Sequence, residues 1–232
     1  MRLNASVSSL WSAAILVSVL IASVCAASES TDAMSTTDEL MSHDGLYPVS
    51  SSRADAAWAR PDMDISGYDK IILQGVGIQY RPGGAKRTSR SGAGPDYYEV
   101  TPSQKERLQK VFAEKFRAEL AKSERFTIVS EPGPDVLLIK GGLIDVVSYV
   151  PPDQAGSYEI FLDRIGEATL ILELSDSVSE AIIARVVDRR AAEDVADRFQ
   201  RSNRATNTAE VRRLAGIWAR ILREQLDHYA AN

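Results

Sequence analysis

Carboxylates, arginines and one cysteine are the side chains with which this 232-residue chain could do chemistry. Glu173, Asp176 and Asp188 stand close together in GEATLILELSDSVSEAIIARVVDRR. Two carboxyl groups facing one another can serve as general acid and general base. Asp176 has a simpler place as a turn residue, and Asp188, beside Arg185, Arg189 and Arg190, as half of an ion pair. Nucleophilic hydrolysis lacks its parts, for there is no Gly-x-Ser-x-Gly elbow and the only histidines are His43 and His228, both near the ends of the folded chain. Those two histidines and a lone cysteine supply no zinc ligand set. No catalytic residue, metal or cofactor is expected. The chain reads as non-enzymatic, with a carboxylate-dependent hydrolase as an alternative.

Arginine is the more telling residue. Between Arg185 and Arg223 there are ten arginines and no lysine, against Asp188, Glu193, Asp194, Asp197 and Glu210. A planar guanidinium suits multidentate contact to carboxylate or phosphate. Arg189, Arg190, Arg201, Arg204, Arg212 and Arg213 are the candidate surface for an anionic component or an acidic partner protein. Pairing within the molecule and a solvated helix face account for the same residues and are favoured. A net charge of −5 gives no global reason to expect nucleic acid.

Cys25 closes the apolar run ILVSVLIASVCAASES. Arg2, a polar stretch and an uncharged segment from Trp11 to Val24 make a secretory signal peptide over residues 1–27. The run is shorter than the roughly 20 residues of a membrane-spanning helix. Cleavage would leave a chain starting at Ala27 or Ser28; acylation of Cys25 would anchor it instead. Of the residues before the cysteine, Ser23 suits lipidation and bulky Val24 does not, so plain cleavage is favoured. Neither route leaves an internal disulfide. The expected location is the periplasm, or the outer membrane if Cys25 carries lipid, and membrane contact is expected only in that second case.

The elements that must position these residues follow from periodicity. Residues 28–53, rich in Ser, Thr, Asp and Met, read as a flexible tether, and 54–232 as one domain. Lys70–Tyr80 is a buried strand. RPGGAKRTSRSGAGPD is a long loop, glycine-rich and basic but without Walker spacing. Thr101-Pro102-Ser103-Gln104 opens a helix with a capping box, and Leu108, Val111, Phe112, Phe116 and Leu120 form its apolar stripe. Strands follow at Phe126–Val129 and from Val136, where Gly141-Gly142 mark a bulge or a close approach. Ala168, Leu170, Leu172 and Leu174 alternate with Thr169, Ile171 and Glu173 in a hairpin that returns over Ala181–Asp188. Asn207 with Glu210 caps a last helix whose stripe is Val211, Leu214, Trp218, Ile221, Leu222 and Tyr229. The fold expected is α/β, a two-layer sandwich with a mixed sheet of about five strands and two amphipathic helices on one face.

Four stretches carry a resemblance: DGLYPVSSSRADAAWARPDMDISGYDKIILQGVGIQYRPGG, SERFTIVSEPGPDVLLIKGGLIDVVSYVPP, GEATLILELSDS and ARVVDRRAAE. From about Asp44 to Asp227 the chain resembles a family of exported bacterial proteins that share a domain of unknown function and are often described as lipoproteins. The resemblance implies a location in the Gram-negative envelope and supplies no catalytic residues. The family usually has a glycine where this chain has Glu180, which implies a different turn type here, because glycine tolerates positive φ and glutamate does not. The function expected is a periplasmic binding or accessory domain whose partner is an envelope protein or an anionic envelope component. The alternatives are a lipoprotein anchored through Cys25 and a hydrolase of envelope material.

Overall fold

The structure is a computed structural model and describes residues 41–50, 53–82, 97–150, 161–162, 164–193, 200–201 and 204–231. The chain divides into two compact units, Met1–His43 and Asp44–Asn232. In the first, residues 41–43 are described, a short stretch with neither helix nor strand in which Met41 is exposed. The expected signal peptide and Cys25 lie outside the described residues.

The second unit contains, in order, β1 (Tyr47–Val49), β2 (Ala56–Ala59), β3 (Lys70–Tyr80), α1 (Pro102–Leu120), β4 (Thr127–Ile128), β5 (Val136–Ser148), β6 (Phe161–Leu162), β7 (Arg164–Asp176), β8 (Ile182–Glu193), β9 (Gln200–Arg201) and α2 (Arg204–Tyr229). The main sheet has seven strands in the order β1-β2-β8-β7-β5-β3-β4, and β6 pairs with β9 apart from it. β3 runs parallel to β4 and β5, while the other neighbours are antiparallel. The class is therefore mixed α/β with a mixed sheet and two helices, and the expected count of five strands is corrected to seven. β1 and β2 are three and four residues long, too short and in β2 too alanine-rich (AAWA) to show a period. β1 also places ordered structure, with fully buried Leu46 beside it, inside the 28–53 stretch expected as tether.

Strand parity builds the core. Ile71, Leu137, Ile139, Leu170 and Leu172 share one face of the sheet and pack with Leu120, Leu214, Trp218 and Leu226 of the helices. Each such large aliphatic side chain, fully buried, contributes about 1.5–3 kcal/mol. The parity shifts twice. β3 carries an extra residue between Gly75 and Gly77, opposite Gly141 and Gly142, and Gly77 has φ 112°. β5 bulges between Ile144 and Val147 with Asp145 at φ 53°, so that Val146 rather than Val147 joins the core cluster. The glycine pair in β5 is thus a close approach, since a Cβ on Gly141 would stand 3.2 Å from Leu172 Cδ2, and the bulge sits on the facing strand.

α1 is capped as its sequence requires. The Gln104 amide donates to Thr101 Oγ1 at 3.4 Å, and the Thr101 amide donates to Gln104 Oε1 at 2.8 Å. α2 begins at Arg204, three residues before the expected cap, so Asn207 lies in its first turn. Nothing between Arg204 and Asn207 breaks a helix, and extending one costs less than starting one. Tyr229, expected on the buried stripe, is 46% exposed; Ala215, Ala219 and Leu226 are the buried residues that the stripe omitted. The helices run parallel. The Phe112 and Trp218 rings are 5.8 Å apart, Arg223 Nε is 3.4 Å from Glu119 Oε1, and Ser123 donates its hydroxyl to Asp227.

Candidate functional site

The arginines of the 185–223 segment divide between three environments, and the strand parity of β8 decides the first two. Residues directly opposite across a sheet share a face. Lys140, Glu173, Arg185 and Trp58 are partners in register and form a row on the face opposite the core. In that row Arg185 Nη2 donates to Glu173 Oε2 at 3.0 Å and to Asp44, and Lys140 Nζ lies 4.0 Å from Glu173 Oε1. Its bond to Glu173, opposed by desolvation and helped by Asp44, raises the Arg185 guanidinium above its ordinary value.

A second cluster lies further along the same face. Arg81 grips Asp145 with two hydrogen bonds, Nε to Oδ1 at 2.6 Å and Nη2 to Oδ2, and stands 3.5 Å from Glu167. That grip holds the Asp145 carboxyl below its usual range. Arg189 bonds to the same Glu167, and the Tyr97 ring lies 5.5 Å from the Arg81 guanidinium carbon. The Arg189 backbone amide donates to Asp55 at 2.8 Å.

Asp188 and Arg190 belong to the opposite, helix-facing side. Asp188 is 5% exposed, and its Oδ2 accepts from Trp218 Nε1 at 2.6 Å and from Arg190 Nε at 2.6 Å. This carboxylate ties α2 to the sheet. The ion pair expected for Asp188 is present, and the indole is a partner that sequence spacing does not show. Glu173 and Asp188 lie on opposite faces, so these two carboxylates do not meet as an acid–base pair. Asp176 serves the hairpin turn: its Oδ1 accepts from the Val178 amide at 3.1 Å and the Ser179 amide at 2.7 Å. Glu180 closes that turn at φ 58°. The expectation that glutamate would avoid positive φ is therefore corrected. The Asp176 bonds hold the turn in a shape that demands a left-handed residue at its last position.

The helix layer is different. Arg212 is exposed and makes no ion pair or hydrogen bond with a described residue, and the same holds for Arg220, two turns along the same face of α2. Between them Gly216 adds no side chain, and the space around it is open. Arg213 instead bonds Glu210 at 2.8 Å and Arg223 bonds Asp227 at 3.2 Å. On α1, Arg107 and Arg117 are likewise exposed without a described partner. Each helix carries five basic residues and three acidic ones, so each is net +2 in a chain whose total is −5. Arg204 opens α2, and Arg201 lies on β9 opposite Phe161. Of the six arginines expected to form one surface, the structure puts Arg189 and Arg190 on opposite sides of the sheet and engages both internally. Arg212 remains available. Sequence reading missed Arg220, whose signal is its eight-residue spacing from Arg212.

One further polar group stands apart. Tyr80 Oη is buried without a hydrogen-bond partner, and burial pushes its phenol up to about 12. Lys105 Nζ lies 4.7 Å from the Tyr80 ring centroid. Among the described residues no group of His, Cys, Asp and Glu is placed to hold a metal ion, and no helix is long and apolar enough to cross a membrane.

A family model described as protein of unknown function (DUF3313) matches residues 36–222. No curated protein matches the chain. Among solved structures, similarity is found to protein XCC0632 of Xanthomonas campestris, of the DUF330 family (13% identity, 79% of this chain and 94% of that one, TM-score 0.40). A putative neuraminyllactose-binding hemagglutinin homolog from Helicobacter pylori is also similar (10%, 82% and 99%, TM-score 0.37), as is the PelC dodecamer from Paraburkholderia phytofirmans (11%, 65% and 89%, TM-score 0.30). At these scores the likenesses do not establish a shared fold.

Proposed function

The chain belongs to the DUF3313 family of proteins of unknown function, and from there we propose that it is a non-enzymatic accessory domain of the bacterial envelope, docking an acidic protein or anionic envelope component through its helix layer. The observation that carries this reading is the division of the arginines. Those on the sheet are matched to Glu173, Glu167, Asp145 and Asp188, whereas Arg212 and Arg220 stand exposed on one face of α2 in no ion pair with a described residue, the nearby Glu224 being engaged by Arg53 and Arg223. Two unpaired guanidinium groups in a net cationic layer favour a partner that brings the carboxylates or phosphates itself. The apolar leader and small residues around Cys25 support export, with removal of the leader preferred to acylation.

The test is made in a bacterial host with an intact envelope. Arg212→Glu combined with Arg220→Glu should abolish salt-sensitive co-purification of an envelope component while leaving the unfolding free energy within about 0.5 kcal/mol of the parent. Unchanged co-purification would contradict the reading. The intact mass of the exported chain decides its attachment: a start at Ala27 or Ser28 fits a diffusing protein, and an acylated Cys25 fits a membrane-tethered one.

A further inference from the structure

The two edges of the main sheet are not alike. One ends in β1, three residues long. At the other, β4 covers only the start of β3, pairing Thr127 and Ile128 with Lys70 and Ile71, and the last bond is from the Val129 amide to the Ile71 carbonyl at 2.9 Å. Beyond Ile71 no described residue pairs with the outer edge of β3, which continues to Tyr80.

The backbone groups on that edge can be assigned by alternation. The Lys70 amide points to Asp135 and the Arg81 amide to Val146, both on the β5 side. The odd residues before the bulge and the even residues after it therefore turn outward, which places the amides of Leu73, Ile78 and Tyr80 on the open side. Gln74, Gly75, Gly77 and Gln79 are exposed, and nothing lies within 4 Å of a Cβ built on either glycine. A row of donors and acceptors left unpaired by every described residue is a template for another strand.

We infer that this edge is a docking site for an extended, acidic segment of a partner protein, which joins the sheet beside β3 as an added strand. Main-chain bonds would supply the attachment and alternate side chains the selectivity. The bulge does not prevent it, because β5 already pairs with β3 as a continuous strand across Gly75–Gly77. The charge at this edge selects an acidic occupant. Lys105 stands over the Tyr80 ring and has no acidic partner among the described residues, on a helix that is net +2. A second copy of this chain fits poorly, since it would set bulge against bulge and bring one cationic α1 beside another. The inference does not depend on Arg212 or Arg220.

The probe is a capped peptide of about eight residues alternating valine and glutamate. Its controls are a valine–lysine peptide and a valine–glutamate peptide N-methylated at alternate amides, tested on the full exported chain by amide hydrogen exchange. The valine–glutamate peptide should slow exchange at Leu73 and Ile78 by about tenfold or more, with little change at Ile72, already bonded to β5. The N-methylated peptide should not protect, and Lys105→Glu should transfer the preference to the valine–lysine peptide. The same protection should persist in the chain carrying Arg212→Glu and Arg220→Glu, which separates this site from the helix-layer reading. Three results would overturn the inference: no protection of β3 by any peptide, equal protection by the N-methylated one, or slow exchange at Leu73 and Ile78 in the free chain, whether at all concentrations or only at high ones.

Discussion

Glu180 and Asp145 hold backbone conformations that side chains with a Cβ rarely adopt, at φ 58° and 53°. For a residue other than glycine the left-handed region costs about 1–2 kcal/mol, part of which glycine regains at the expense of its greater freedom when unfolded. Glu180→Gly should therefore raise stability by about 0.5–1 kcal/mol, measured by urea unfolding; a loss of stability would mean the glutamate makes a contact that offsets its strain. Asp188 is the opposite case, a residue whose removal strands its partners. Asp188→Ala would leave the buried Trp218 N–H without its acceptor and the Arg190 guanidinium with only the Arg53 carbonyl, at a cost of about 2–4 kcal/mol, and Asp188→Asn should recover part of it. Equal unfolding midpoints for Asp188→Ala and the parent would refute that role. The Arg-Arg run beside Asp188 made an ion pair legible in the sequence. Trp218 as second partner was not, because the indole lies 30 positions further along the chain and only the packing of α2 joins it to the carboxylate.

Elements were legible where they are long and periodic. The α1 capping box, the alternation of β7 and the start of β5 at Val136 all stand as expected, since the cap is local, β7 buries one face, and β5 opens on a continuous buried run from Val136 to Ile139. The short strands β1 and β2 and the first turn of α2 escaped notice, for tertiary pairing and helix extension decide them rather than local pattern. The β7–β8 hairpin carries its own pH dependence. Asp176 is held below its ordinary 3.8, chiefly by the Ser179 amide, then by the Ser179 hydroxyl and, after the opposing effect of burial, by Tyr68. Its contribution is complete above the unfolded value and disappears as pH falls through the depressed folded value. Thermal melts of the parent should thus fall off below about pH 4, and the Asp176→Asn chain should show a shallower acid limb. Identical acid limbs would count against the assignment. In the same hairpin a Cβ at Gly166 would stand 2.5 Å from the Val147 carbonyl oxygen. Gly166→Ala should accordingly destabilise by about 2 kcal/mol or more in urea unfolding, and a neutral result would show that the β5 bulge can yield.

At the scale of the molecule, charge is sorted rather than spread. The sheet face that carries Arg185 and Arg81 matches each cation to a carboxylate, and the helix layer keeps an excess of positive charge within an acidic chain. The sequence showed an arginine-rich segment without showing this division, because strand parity and helix phase send neighbouring arginines to different surfaces: Arg189 and Arg190 part across the sheet, and Arg212 and Arg213 part around α2. The most direct measurement is equilibrium binding of the full chain to polyglutamate and, separately, to phosphatidylglycerol-containing vesicles over a range of salt concentrations. The parent should bind at least one of the two with an affinity that falls as salt rises, and Arg212→Glu with Arg220→Glu should weaken that binding by about tenfold or more. Binding to neither, or binding that the double reversal leaves unchanged, would contradict a docking role for the helix layer.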